Sequence, residues 1–522
     1  MSPDPPTPAS LDPQWFDTVV ETHISTLLFA GDRVFKRKKP VRFPFVDFST
    51  VERRRWACER EVQLNRRFSP DVYLGVVDLP DDDGHLEPVV VMRRMDPRRR
   101  LATLVAEHSP HAHSCLEALA KLMADFHRRA PRSPAISGDG SLSGIAAVWD
   151  ESFEELRRAG PTLVDPDGVN EAQERAHKYL RGRQRLFDRR VSDERICDGH
   201  GDLQADDVFC TPEGPRVLDC LEFDDRLRHV DVLADVAFLA MDLERLGVPE
   251  AAGSFVTTWA EALGDPGVVH NTLMHHHVAR YALVRGKVNC LRASQTTDPE
   301  VVAVAGARAD ALMDLALAHL RVGAVRLVLV GGLPGVGKTT LARALADVTG
   351  WPVLRSDAVR RQLAGFPPDV EPPPEVRERL YAPAAVAAVY AELRHRAREL
   401  LRNGFSVILD ASWTSLTERE AARATAVSCD ADLMSIQCVC DPQVAHRRIR
   451  ERVEKQTTGG SDATVEVAEL LALRQEPWRG SLAVDTGAHA PSDLVAQVLE
   501  ASGGGSVSGV VWDWSAPGLS SR

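Results

Sequence analysis

Two domains of different class are predicted from this sequence: an α+β domain, then an α/β domain built on a parallel sheet. Three observations carry that expectation. The chain has 522 residues, too many for one hydrophobic core. Leu327–Ala344 reads LVLVGGLPGVGKTTLARA: an apolar β-branched run breaks at Gly331-Gly332 and resumes as a helix former. That is the order of a doubly buried strand, a tight loop and a helix. Near the other end, Ser25–Lys39 has hairpin patterning, and mostly helical patterns follow from Leu116 onward.

Composition narrows the class. A content of 44% hydrophobic and 26% charged residues is that of a soluble globular protein. The formal net charge of −12 argues against an extended nucleic-acid surface, so the basic clusters Arg33–Lys39 and Arg93–Arg100 are expected to serve particular sites. No apolar run reaches membrane-spanning length, and MSPDPPTPAS contains no hydrophobic signal region, so no membrane partner and cytoplasmic residence are expected. Nine scattered cysteines suggest reduced thiols, and Cys438-x-Cys440 sits in an alternating apolar run that suits a strand interior better than a metal.

In chain order, residues 1–14 are expected to form a disordered tail, 15–320 the first domain, 321–501 the second, and 502–522 a flexible tail. In the hairpin STLLFA turns at Gly31-Asp32 into RVFKRKK, and alternation puts Val34, Lys36 and Lys38 on one face. A helix from about Thr50 to Phe68 carries Glu59 and Glu61, Val89–Met95 reads as a buried strand, and Leu116–His127 as a helix. Cys197–Leu246 holds HGDLQADDVF from His200, VLDCLEF from Val217 and DVLADVAF from Asp231. A His-x-Asp, an amide or acid five residues after the Asp and an Asp closing a short strand are the parts phosphoryl transfer uses. Asp202 would accept a hydroxyl proton, Asp207 and Asp219 would hold Mg²⁺, and Lys36 or Lys38 with Glu61 would orient phosphates. His200 reads as a structural histidine that orders the loop.

Residues 271–320 read as long helices, with Arg280 and Lys287 on one face. His275, His276 and His277 diverge by about 100° each on a helix and cannot converge on one ion. The stretch Gly332, Leu333, Pro334, Gly335, Val336, Gly337, Lys338, Thr339 and Thr340 is a complete phosphate-binding loop. Lys338 would reach the β- and γ-phosphates, and Thr339 would ligate Mg²⁺. Trp351–Asp357 reads as a second strand with a helix from Ala358, which leaves Asp357 as either a general base or an N-cap. Phe405–Asp410 is a buried strand whose terminal acid would bind Mg²⁺, and Met434–Cys440 is another strand. On the helix Val444–Val453, Arg448 and Arg452 share a face, as a lid over the transferring phosphoryl needs; a solvated arginine face is the alternative. Gly459–Asp462 would be its hinge.

Residues 15–320 resemble the aminoglycoside phosphotransferase-like branch of the protein-kinase fold, on HGDLQADDV, VLDCLEF and DVLADVAFL. Residues 325–500 resemble the small P-loop kinases related to gluconate, chloramphenicol and polynucleotide kinases, and the joint arrangement is similar to bacterial two-domain fusions of the two. The resemblance implies a protein-kinase-like α+β fold followed by a P-loop NTPase sheet. It also implies ATP and Mg²⁺ as cofactors and ATP-dependent phosphorylation of a small-molecule hydroxyl acceptor, with Asp202, Asp357, Lys338, Arg448 and Arg452 in catalysis. Two departures stand out: Gln204 replaces the family's His, and Asp207 its Asn. No G-x-G-x-x-G covers the hairpin, where only Gly31 is present. An ATP-binding regulatory or stress protein with an inert first half remains open. So does a polynucleotide 5′-hydroxyl kinase, prompted by Arg355-Ser-Asp357-x-x-Arg360.

Overall fold

The computed structural model describes residues 10–501 apart from 23, 44–45, 82, 162, 368–369, 371–372, 374–378 and 455–463. The hinge expected at Gly459–Asp462, residues 1–9 of the first expected tail and the tail at 502–522 lie outside the described residues. The chain divides into two compact units, the chain up to Ile145 with Arg190–Val269, and Ala146–Arg189 with the chain from His270 onward.

The first unit opens with an antiparallel sheet in the order Thr18–Glu21, Ser25–Ala30, Arg33–Lys38, Leu86–Arg93, Tyr73–Pro80. Gly31 makes the hairpin turn at φ 57°, a left-handed conformation that glycine adopts freely. The helix Val51–Asn65, capped by the Thr50 side chain, lays Cys58 and Val62 on Val34, Val90 and Met92. Strand alternation puts Lys36 and Lys38 on that same covered face, and the helix period puts Glu61 opposite them. The other face packs Leu28, Phe35, Val89 and Val91 on Leu11, whose N–H donates to the Pro80 carbonyl at 2.9 Å. Leu11 falls in the stretch expected to be a disordered tail, and burial of its side chain holds residues 10–14 in place. The expectation is corrected there.

Helices Pro110–Arg129, Val232–Arg245 and Pro249–Leu263 complete this unit, with the paired short strands Val208–Thr211 and Gly214–Val217. A disulfide joins Cys115 to Cys210, which corrects the expectation that all nine thiols are reduced. The fold brings these two residues, 95 apart in sequence, to a Cα separation of 5.6 Å.

The second unit contains a five-stranded parallel sheet in the order Val353–Arg355, Val407–Asp410, Arg326–Gly331, Asp432–Val439, Leu482–Asp485. Val330 lies opposite Asp410 on one side and Ile436 on the other. Val328, Val330, Ile408 and Ile436 pack on Leu341 and Leu345 of helix Lys338–Thr349 and on Leu494 and Val498 of helix Pro491–Ala501. Cys438 lies within its strand, as expected.

Helices Pro166–Gly182, Asn271–Ser294 and Pro299–Val322 belong to this unit too, although they precede residue 320. Buried polar contacts anchor them. Arg183 donates to the carbonyls of Cys429 at 2.8 Å and Asp430 at 3.2 Å. The Thr272 hydroxyl donates to the Gly404 carbonyl at 2.8 Å, and His270 Nε2 donates to that of Asn403 at 2.8 Å. The three consecutive histidines diverge as helical geometry requires: His275 meets His319, and His276 meets Trp149. No helix among the described residues is long and apolar enough to cross a membrane.

Candidate active sites

The glycine loop leaves strand Arg326–Gly331 and enters helix Lys338–Thr349 at Gly337. Its path admits only glycine at two points. A Cβ on Gly332, at φ 136°, would meet the Cys438 carbonyl oxygen at 2.4 Å; one on Gly335, at φ 80°, would meet that of Ala445 at 2.5 Å. The loop therefore presents backbone N–H groups and a helix N-terminus to the space above it. The Lys338 ammonium donates to the Leu333 carbonyl at 2.8 Å, and the Thr339 hydroxyl donates to Asp410 at 2.7 Å. Burial pulls the Lys338 pKa below its ordinary value, with Asp410 the main opposing charge. Burial likewise pushes the Asp410 carboxyl up, against Lys338 and the Thr339 hydrogen bond. A half-buried lysine without a full counter-charge and a buried acid seeking a cation suit a polyphosphate and its metal.

The other expected residues of this site gather round the loop. Arg448 donates to the Thr486 carbonyl at 3.0 Å and lies 3.6 Å from a Cβ built on Gly337. Arg452 is close enough for its charge to act on Lys338. Asp357 acts on both Lys338 and Asp410 and is ion-paired with Arg360. The helix that carries it, Ser356–Leu363, starts two residues earlier than the sequence suggested, with Arg355 at the N-cap and no side-chain cap. Asp357 is therefore inside the first turn, and the N-cap alternative is corrected. Arg355, 3.7 Å from Asp410, is a neighbour that went unassigned.

In the first unit, one buried carboxylate organises two lysines. Glu61 is 0% exposed and takes Lys36 at 2.9 Å and Lys38 at 2.6 Å. Lys36 also pairs with Asp219, and Lys38 with Glu222. Burial opposes the charge on Lys36, yet Asp219 and Glu61 outweigh it and hold its pKa well above the ordinary value. Asp219 stands at φ 65° with its N–H donated to the Tyr73 hydroxyl at 3.1 Å. Desolvation works against its carboxylate, and Lys36 overrides that, so its pKa is lowered although half the side chain is open.

Asp202 and Asp207 converge with it. Desolvation first, then the carboxylates of Asp219, Asp202 and Asp206, raise the Asp207 pKa well above its ordinary value. Gln204, at the family's histidine position, donates its amide to Asp202 at 2.8 Å. Among the described residues no group of three His, Cys, Asp or Glu is placed to hold a metal by itself. A metal arriving on a nucleotide needs fewer protein ligands, and Asp207 with Asp219 fits that role.

Behind this loop stands a support that sequence reasoning missed. Asp235 is 0% exposed and accepts from the N–H groups of His200 and Gly201, both at 2.9 Å, and from His127 Nε2 at 3.1 Å. Trp259 donates to His127 Nδ1 at 3.0 Å, which puts the His127 hydrogen on Nε2, facing Asp235. His200 accepts the Asp202 N–H at 3.3 Å and donates to the Leu218 carbonyl at 3.1 Å. Burial lowers its pKa to about 4, so it is a neutral, structural histidine. An acid inside the apolar run DVLADVAF was the available signal for Asp235.

The family profile described as an AAA domain matches residues 327–477. An uncharacterized protein of Mycobacterium tuberculosis, Rv2004c, is 41% identical over 474 residues, covering 90% of this chain and 92% of that one. A Mycobacterium bovis protein, Mb2027c, also uncharacterized, matches to the same extent, 41% over 474 residues. Among solved structures, the chain is similar to a gluconokinase from Sinorhizobium meliloti, 20% identical, over 34% of this chain and 91% of that one, TM-score 0.23. It is also similar to aminoglycoside 2′-phosphotransferase-IIIa, 15% identical, over 57% of this chain and 93% of that one, TM-score 0.37. The chain belongs to the same family as these mycobacterial proteins.

Proposed function

We propose that the chain is an ATP-dependent kinase that transfers the γ-phosphoryl group to a hydroxyl of a small molecule at the glycine loop. The observation that carries this reading is the Thr339–Asp410 hydrogen bond of 2.7 Å at the foot of a loop whose half-buried Lys338 donates to the Leu333 carbonyl. The loop N–H groups and Lys338 would bind the β- and γ-phosphates. Thr339 and Asp410 would hold the magnesium that accompanies the nucleotide, which neutralises charge between those phosphates. Asp357 takes the proton from the acceptor hydroxyl. The acceptor oxygen bonds to the γ-phosphorus, the bond from that phosphorus to the bridging oxygen breaks, and ADP departs. Arg448 and Arg452 offset the charge on the transferring group.

The first unit is proposed as a second nucleotide site, with Asp207 and Asp219 at the metal and Asp202 facing an acceptor. Lys36 rather than Lys38 serves the phosphates there, because Lys36 touches Asp219 while Lys38 is sealed between Glu61 and Glu222.

ADP formation with a panel of hydroxyl acceptors, including a 5′-hydroxyl oligonucleotide, tests the kinase reading. Acceptor-stimulated turnover is expected. Nucleotide binding with no acceptor response would make the chain a nucleotide-dependent switch instead. Asp357→Asn should cut acceptor-dependent turnover about 10²–10³-fold with nucleotide affinity nearly unchanged. Lost ATP affinity with normal turnover per bound ATP would reassign Asp357.

A further inference from the structure

The bond between Cys115 and Cys210 ties down the segment that carries both candidate metal acids of the first unit. Strand Val208–Thr211 begins directly after Asp207, and its partner Gly214–Val217 ends two residues before Asp219. Val208 lies opposite Val217, and the Leu218 N–H donates to the Asp207 carbonyl at 2.9 Å. A movement of this hairpin is therefore a movement of both carboxylates.

Alternation gives the hairpin two different attachments. Phe209 packs with the apolar cluster of Val34, Cys58 and Val62, and the Arg100 guanidinium lies 5.4 Å from its ring. Cys210 points the other way, to helix Pro110–Arg129, where Cys115, Leu119 and Met123 recur every four residues along one buried face. One side is held by side-chain packing and the other by a single covalent bond.

That bond is open to exchange from outside, and nothing inside the unit competes for it. Cys115 is buried and Cys210 half-buried, so an external thiol approaches from the Cys210 side. The exposed Arg99 donates to the Cys210 carbonyl at 3.5 Å, which puts a cation where a thiolate arrives. The free cysteines of this unit, Cys58, Cys197 and Cys220, are 0% exposed. Burial pushes the thiols of Cys58 and Cys220 up to about 12 and raises that of Cys197 as well. None of them supplies the thiolate that exchange requires. Once opened, the pair leaves two small apolar thiols with no charge to solvate.

We propose that Cys115 and Cys210 form a reversible redox site, opened by a dithiol reductant and closed by a disulfide oxidant, which sets the position of the hairpin that joins Asp207 to Asp219. A thiolate of the reductant attacks the Cys210 Sγ, the bond between the two protein sulfurs breaks, and the electron pair leaves on Cys115, which takes a proton. The second thiol of the reductant then attacks the mixed disulfide, forms the reductant's own disulfide and releases Cys210 as a thiol. Two electrons and two protons pass to the protein, and the reverse sequence restores the bond. The effect on nucleotide binding rests on the reading of the first unit as a second nucleotide site; the redox site itself does not.

The test uses the full-length chain carrying Lys338→Ala, treated without denaturant with reduced or with oxidised dithiothreitol. Thiols titrated afterwards in denaturant should number nine in the reduced sample and seven in the oxidised one. Hydrogen exchange across residues 205–218 should quicken about tenfold on reduction and slow again on re-oxidation, with the strands of the parallel sheet unchanged. Affinity for a non-hydrolysable ATP analogue with Mg²⁺ should fall several-fold on reduction. A double variant, Cys115→Ala with Cys210→Ala, should match the reduced form in either reagent; if it does not fold, the cycle of reduction and re-oxidation decides alone. Equal thiol counts overturn the proposal, and so does the same exchange at 205–218 in both states. Loss of protection throughout the chain on reduction overturns it too, because the bond is then a structural staple alone. Faster hairpin exchange with nucleotide affinity absent or unaltered upholds the redox site and counts against the second-site reading instead.

Discussion

Lys36, buried, and Lys338, half-buried, both hold an ammonium group at a candidate phosphate site, and their pKa values are displaced in opposite directions. Lys36 stands among carboxylates, with Glu61 at 2.9 Å and Asp219 beside it. Lys338 has the Leu333 carbonyl at 2.8 Å. The first site therefore carries its counter-charges within itself, and an arriving triphosphate must compete with Asp219 for the lysine. The second is held open by backbone geometry, and its lysine is opposed by Asp410 and Asp357 only at longer range. One site is built by side-chain pairs, the other by the path of the main chain.

Four substitutions break or sharpen that contrast. Lys338→Ala should lower turnover at the glycine loop by about 10³-fold and leave the stability to unfolding nearly unchanged, since the path of the loop is set by its backbone. ADP formation and chemical denaturation on the same sample check both parts. Glu61→Gln should do the reverse and destabilise the first unit by about 3–5 kcal/mol, because two buried lysines lose their shared partner. A loss below about 1 kcal/mol in urea unfolding would mean the pairs contribute little net stability.

The third concerns pH. Burial would raise the Asp235 carboxyl, but the hydrogen bond from His127 and that from the His200 backbone N–H override it and hold its pKa at about 2, below the ordinary 3.8. A lowered folded pKa contributes stability above the unfolded value and loses it as pH falls through the folded one. The wild type should lose about 2 kcal/mol between pH 4 and pH 2 from this group. Asp235→Asn should lose about 2 kcal/mol less than the wild type across that window when denaturation midpoints are followed against pH. The smallest effect is expected from Asp207→Asn. Removing one of three converging carboxylates should flatten the Mg²⁺ dependence of nucleotide binding at the first site by a few-fold. Binding is measured in the full chain with Lys338→Ala present, so that the glycine loop does not contribute. An unchanged Mg²⁺ dependence would remove Asp207 from the metal.

Much of this was legible in the sequence because the chemistry is local. The strand, loop and helix around Lys338 are contiguous, and period-two alternation placed Lys36 and Lys38 together on the covered face. Where long-range packing decided, the sequence was silent. Glu222 was quoted within VLDCLEF, yet its pairing with Lys38 depends on how the chain turns at Asp219. Nothing in the spacing of Cys115 and Cys210 announces a bond across 95 residues. The start of helix Ser356–Leu363 was misread because Ser356 and Asp357 both favour capping positions, while the strand end supplies Arg355 instead.

The way the helices are shared has a consequence for any attempt to dissect the protein. The chain passes from one unit to the other at 145/146, 189/190 and 269/270, so no single cut leaves both intact. A truncation at residue 320 keeps Arg183 and Thr272 but removes the Cys429, Asp430 and Gly404 carbonyls they serve. It leaves a buried guanidinium and a buried hydroxyl with nothing to bond, and strips the nucleotide-loop sheet of the helices that cover its strand beginnings. The chain cannot be divided there without damage to both products. Each site has to be silenced in place.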